Sequence, residues 1–162
     1  MNRLCCLATA VLAAAILLLT YRFLWLGDTE HSPDGRAAIV LSAAERSLVL
    51  SEMRAFLQAV QQIISAAGDG DNAAIANAAR KVGATAQQSV PASLMGKLPG
   101  EFKMLGFDTH RRFDALALDA EQLGDPGHSL SQLAELMQNC VGCHAAYQFR
   151  VASAAEEAAA LD

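Results

Sequence analysis

Residues 42–71 read SAAERSLVLSEMRAFLQAVQQIISAAGDGD. Ser42 and Glu45 form a capping box, in which each side chain takes an unpaired backbone N–H at a helix start. From there Val49, Met53, Phe56, Val60, Ile63 and Ala67 recur in steps of three or four, laying one apolar stripe along one helical face. Gly68-Asp69-Gly70-Asp71 ends that helix, and Asp71 or Asn72 can cap the next. A long amphipathic helix with a marked start and stop needs partners to cover its stripe.

Carried outward, the same reading finds three more helices. The second is expected to run to about Ser89 along Ile75, Ala78, Ala79, Val82 and Ala86, until Pro91 stops it. Residues 90–108 read as a long connection containing two prolines and three glycines. A third helix is expected from Asp108 or Thr109, with Phe113, Leu116, Ala117, Ala120 and Leu123 inward, until GDPG at 124–127 breaks it. Ser129 with Gln132 is expected to cap a fourth, which carries Leu130, Leu133, Leu136, Met137, Cys140, Cys143 and His144. No segment sustains a period of two, so no strand is expected. The prediction is an all-α fold: an antiparallel four-helix bundle over residues 42–155, followed by a tail at 156–162.

Upstream, residues 4–26 (LCCLATAVLAAAILLLTYRFLWL) are apolar except for Thr9, Thr20 and Arg22. About 20 such residues make a helix that crosses the hydrocarbon core. Arg3 marks a cytoplasmic flank, while Tyr21, Phe23 and Trp25 suit the opposite interface, where Arg22 can snorkel. A cleaved signal peptide would show small residues after its apolar stretch. Here TYRFLWLGD follows, which favours an uncleaved transmembrane anchor over residues 1–26. Residues 27–41 are then expected as a polar tether with a solvated His31. Everything after Gly27 is expected as exported, facing the periplasm from a bacterial inner membrane that the chain crosses once. Cys5 and Cys6 read as small apolar residues at the membrane edge. A net charge of −5 and the lack of any lysine/arginine cluster argue against nucleic-acid binding.

Residues 139–150 read NCVGCHAAYQFR. On a helix Cys140 and Cys143 stand at i,i+3 and Cys140 and His144 at i,i+4, so all three project from one face. This is the C-x-x-C-H arrangement of covalent haem attachment. Two thioether bonds would hold one porphyrin edge, with a neutral imidazole as proximal iron ligand. Other readings stand beside it. A zinc site wants four ligands, and no second Cys/His pair lies in the exported part. A thiol–disulfide motif sits at a helix start, where the dipole lowers the thiol pKa, whereas this pair lies well inside the fourth helix. The plain alternative is two core cysteines beside an incidental histidine.

With this motif on the last of four helices, residues 42–150 resemble the class II c-type cytochromes, the cytochrome c-prime group and its low-spin relatives. Family members follow the motif with an aromatic and then a basic residue. Tyr147 matches the first, Gln148 replaces the second, and Arg150 comes two positions later. The segment LPGEFKMLGFDTHRRFDALALDAEQLGD is similar to the third helix and preceding loop of low-spin members.

The resemblance implies one covalently attached haem c held by Cys140, Cys143 and His144. It also implies a sixth iron position facing the first helix, where low-spin members place a methionine and the cytochrome c-prime branch a residue that does not bind. Met53 is the candidate, and its height supports it. It lies about 11 residues into its helix, roughly 16 Å along it, and His144 is expected about 8–14 residues before its own helix ends, roughly 12–21 Å from that end. Met137 shares a helix with His144, while Met95 and Met104 fall in the long connection. His110 is the runner-up ligand, though a partly exposed or propionate-contacting role suits it better. Arg46, Arg54, Arg80, Lys81, Arg111 and Arg112 are candidate propionate neighbours, none of them assigned.

The expectation is a membrane-anchored monohaem cytochrome that passes single electrons between redox partner proteins. It would be an electron carrier and not an enzyme, and the sequence leaves room for a homodimer. The first alternative is a five-coordinate haem protein that binds nitric oxide or carbon monoxide, and the second is a thiol or zinc protein without haem.

Overall fold

A computed structural model describes residues 3–153 and 156, apart from the side chains of residues 4, 5, 88 and 89. Most of the tail expected over 156–162 therefore lies outside the described residues, as does the Cys5 side chain.

The chain is mostly helical. Helix α1 spans Arg3–Tyr21 and continues into a wider turn, Arg22–Leu26. Residues 6–26 are long and apolar enough to cross a membrane, and none of that stretch is buried. Helix α2 spans Ala43–Gly68, with both hydrogen bonds of the Ser42–Glu45 capping box in place. Helix α3 spans Asn72–Arg80, capped by the Asp71 carboxylate, which accepts from the Ala74 N–H. A short helix α4 (Ala92–Lys97) precedes α5 (Gly100–Leu123) and α6 (Pro126–Ala146).

Helices α2, α3, α5 and α6 close a ring of contacts, each packing on the next and α6 returning to α2. One core fills it. Ile63, Ile75, Phe113, Leu116, Leu133 and Leu136 are fully or almost fully buried, and Phe56 stacks on Phe113 with ring centroids 5.5 Å apart. Leu123 and Leu130, expected on the inward stripes, are exposed.

Several boundaries differ from expectation. The second helix stops at Arg80 and gives way to a 3₁₀ turn, Ala84–Ser89. There the Asp114 carboxylate accepts from the Ala84 N–H, and it sits so close that a Cβ on Gly83 would fall 1.8 Å from its Oδ1. The third helix starts at Gly100, eight residues early, so part of the expected connection is helix. Asp125 caps the fourth helix, accepting from the Gly127 and His128 N–H groups, where Ser129 was expected to do so. Ser129 is completely buried instead, and Pro126 at the first turn lacks only an N–H the helix would leave unpaired.

The sequence reading expected no strand, and the described residues form three. Residues expected as a polar tether form a hairpin, β1 (Thr29–His31) with β2 (Ala37–Leu41), turning at Pro33-Asp34-Gly35. Strand β3 (Tyr147–Val151) follows α6 and runs parallel to β2, pairing Ala37 with Tyr147 through Leu41 with Val151. The reason is burial. Ile39 and Leu41 are fully buried against Val49, Leu94, Leu98 and Phe102, in a second apolar cluster at one end of the helices. Apolar backbone at such a place must pair its N–H and C=O groups, and β3 supplies the partners.

The segment after α1 is also fastened to the helices. Gly27, at φ +64°, lies against residues 97–99, where a Cβ would meet the Pro99 nitrogen at 2.5 Å. The Asp28 N–H donates to the Lys97 carbonyl at 2.7 Å, and the buried Lys103 Nζ donates to the Phe23 carbonyl at 2.6 Å.

Candidate functional site

Asn139 sets the approach to the motif. Its side-chain amide donates to the Asp108 carboxylate at 2.9 Å and lies 3.3 Å from Thr109 Oγ1, which ties the start of the last turns of α6 to α5. That hydrogen bond, with Arg112 beside it, holds the Asp108 carboxyl down at about 2. Cys140 and Cys143 follow, both half-buried and both free thiols. Burial raises the Cys140 pKa, and burial together with the neighbouring Cys140 pushes Cys143 up to about 11. Both sulfurs are therefore protonated at neutral pH, the reverse of what a thiol–disulfide exchange centre needs.

Helix α6 ends at Ala146, two residues after His144, where a longer helix was expected. His144 thus stands about 3 Å from the end of its helix, and the height comparison with Met53 fails as it was made. Past the helix end, β3 packs beside α2, and five residues of strand extend roughly 16 Å. Strand thus stands where the missing turns of helix were expected.

Met53, Cys143 and His144 come together on one cavity of about 250 Å³, alongside Leu50, Phe102, Tyr147 and Phe149. Met53 and Cys143 are half-buried and pack on the second apolar cluster, while His144 is exposed. Phe102 forms the back wall, with Tyr147 and Phe149 edge-on to it at 5.4 and 5.8 Å between centroids. The Tyr147 hydroxyl donates to Glu101 at 3.3 Å. A thioether, an imidazole and a thiol facing one cavity are donors suited to iron and to thioether attachment. Among the described residues, no three His, Cys, Asp or Glu side chains converge as a closed metal site.

Two arginines border the cavity, Arg46 and Arg36. Sequence reading missed Arg36. Its guanidinium donates to the His144 carbonyl at 3.4 Å and to the Gln148 amide oxygen at 3.0 Å, and its Nε is 2.8 Å from the Asp34 carboxylate. It satisfies a carbonyl that the end of α6 leaves open. No local signal could have placed it here, because its partners at this site, His144 and Gln148, lie more than 100 residues away. Arg150 points elsewhere, paired with Glu30 of β1 and with Glu156. Arg80 pairs with Glu121, and Arg111 and Arg112 pair with Asp108.

His110 is not on this cavity. It is buried, not partly exposed as expected, and both ring nitrogens are engaged, Nδ1 with the Val82 carbonyl at 2.8 Å and Nε2 with the Glu52 carboxylate at 3.2 Å. Burial by itself lowers its pKa, but the hydrogen bonds to Glu52 and Val82 outweigh that and raise it above the usual 6.5. Neither nitrogen has a lone pair free for a metal in this arrangement. Met95 lines the cavity on which His110 lies, and Met104 and Met137 are exposed.

No family model, curated protein or solved structure matches the chain.

Proposed function

We propose that the protein is a membrane-anchored monohaem c-type cytochrome that carries single electrons, built as an antiparallel four-helix bundle of the class II type. The observation that carries this reading is the meeting of Met53 with Cys143 and His144 on one cavity, although Met53 and Cys143 lie 90 positions apart in the sequence. A haem bound there would supply a reversible one-electron iron couple. Cys140 and Cys143 would hold it covalently, and His144 and Met53 would bind its iron. Phe102, Tyr147 and Phe149 give that space an aromatic wall. A histidine/thioether pair raises the reduction potential and fills both axial positions, which suits electron transfer over ligand capture. Arg36 and Arg46, which line the cavity, would supply positive charge to the haem propionates. Gln148, standing where a basic residue was expected, holds the Arg36 guanidinium in that place.

Supporting the bundle is the closed ring of contacts among α2, α3, α5 and α6. Supporting the anchor is the exposed apolar helix that leads into the domain. The exported side, in a bacterium the periplasm, is where covalent haem attachment would be made. The electron partners would be other redox proteins at that membrane face. Two measurements on the full chain, produced with haem-attachment machinery, test this. A haem stain after denaturing electrophoresis should be positive, since only thioether-linked haem survives. The reduced absorption spectrum should be low-spin and little changed by carbon monoxide. A negative stain refutes the haem reading, and a large carbon monoxide shift refutes ligation by Met53.

A further inference from the structure

A second cavity, of about 350 Å³, lies on the other side of Phe102, which lines both. That volume is in the range of small-molecule sites, roughly 300–1,000 Å³. Its walls are largely apolar, with Val49, Phe56, Leu94, Phe102 and Phe107 among them. Within those walls the buried His110 and the Glu52 carboxylate stand 3.2 Å apart, and Ser51, Lys81, Gln87 and Lys103 also border the space. A carboxylate has about four acceptor positions, so its bond to His110 leaves capacity for a further donor. A largely apolar hollow with a few hydrogen-bonding groups at its edge suits a flat apolar ring that bears hydroxyl or carbonyl oxygens.

The position of the cavity selects among such molecules. Leu94 and Met95 of α4, with Leu98 and Lys103, form one wall. The same segment carries the end of the apolar N-terminal helix. A Cβ on Gly96 would lie 3.0 Å from the Phe23 ring, one on Gly100 would lie 2.8 Å from Trp25, and Lys103 Nζ donates to the Phe23 carbonyl. Only the thickness of α4 and the first turn of α5 separates the cavity from the point where the apolar helix ends.

We propose that this cavity binds a lipid-soluble quinol, its ring among the apolar side chains and a hydroxyl donating to the Glu52 carboxylate. The ligand would enter from the bilayer and lie one aromatic ring away from the cavity of Met53 and His144. Binding itself does not rest on the haem reading; only the role of the quinol as electron source does.

The test uses the full-length protein in detergent with decyl-tailed benzoquinol as probe, read by thermal melting. The expected result is a saturable rise of roughly 5–10 °C at a hundredfold excess over Kd. Leu94→Trp, which fills the cavity, should abolish the rise. Glu52→Gln, which preserves size, should weaken binding about tenfold. The proposal is overturned if the rise is absent, if it survives Leu94→Trp, or if decylcyclohexane, which has no oxygen, produces it equally. An altered haem spectrum in Leu94→Trp would assign the cavity to the haem and also overturn it. A negative haem stain with saturable quinol binding would remove the cytochrome reading and leave this site standing.

Discussion

Met53→Leu separates a ligand from a packing residue. Leucine nearly conserves the volume of methionine but has no sulfur to offer a metal. Met53 is half-buried at the edge of the second apolar cluster, so repacking should cost less than about 1.5 kcal/mol, the usual ceiling for such swaps. For a chain of this size that is a fall in Tm of no more than roughly 3–6 °C. The spectrum should change far more than the stability. With the sixth position open, the reduced variant should bind carbon monoxide with a large shift of its absorption bands, while the wild type does not. The assay is a carbon monoxide difference spectrum beside a thermal melt, with Leu50→Ala, from the same cavity, as control. Leu50→Ala should lower Tm by a comparable or greater amount and leave the wild-type spectrum intact. If Met53→Leu and the wild type respond identically to carbon monoxide, methionine ligation is refuted, and Met53 is an ordinary core residue.

Phe113→Ala should destabilise the protein by about 3–5 kcal/mol, because a fully buried ring stacked on Phe56 leaves a cavity behind; urea unfolding followed by circular dichroism measures this. His110 should make stability fall with rising pH. Its folded pKa is raised, so its stabilisation is complete below about 6.5 and is lost as pH climbs through the folded value, with a slope no steeper than about 1.4 kcal/mol per pH unit. In His110→Gln that part of the pH profile should flatten, and an unchanged slope would refute the assignment. Lys103→Met should loosen the junction after α1 by about 1.5–3 kcal/mol, since it removes the charged donor that bonds the Phe23 carbonyl. Faster hydrogen exchange at the Asp28 and Val40 amides, with helix α5 still protected, would register that loss.

Much of the fold was legible because its signals are local. The Ser42–Glu45 box, the Asp71 cap and the stripe from Val49 to Ile63 each lie within one helix, and the structure has them in place. The missed strands show the converse. Tyr147-Gln148-Phe149-Arg150-Val151 does alternate apolar and polar residues, but five residues behind a helical motif read as more helix. The early start of α5 was hidden in the same way, since Gly100 and Gly106 look like breakers until Phe102 is seen packed on Tyr147 and Phe149.

The amino-acid sequence alone determined that the chain makes amphipathic helices behind an apolar N-terminal one, and that two thiols and an imidazole share a helical face. Both follow from spacing, which a helix turns into geometry without outside help. Tertiary structure decided that Met53 and His144 face one cavity and that His110 faces another. It also decided that Arg36 reaches the end of α6, and that the expected tether is a strand of a sheet. Each of these pairs groups far apart along the chain, and the free energy that brings them together is the burial of a shared apolar cluster. No single segment of sequence contains that cluster.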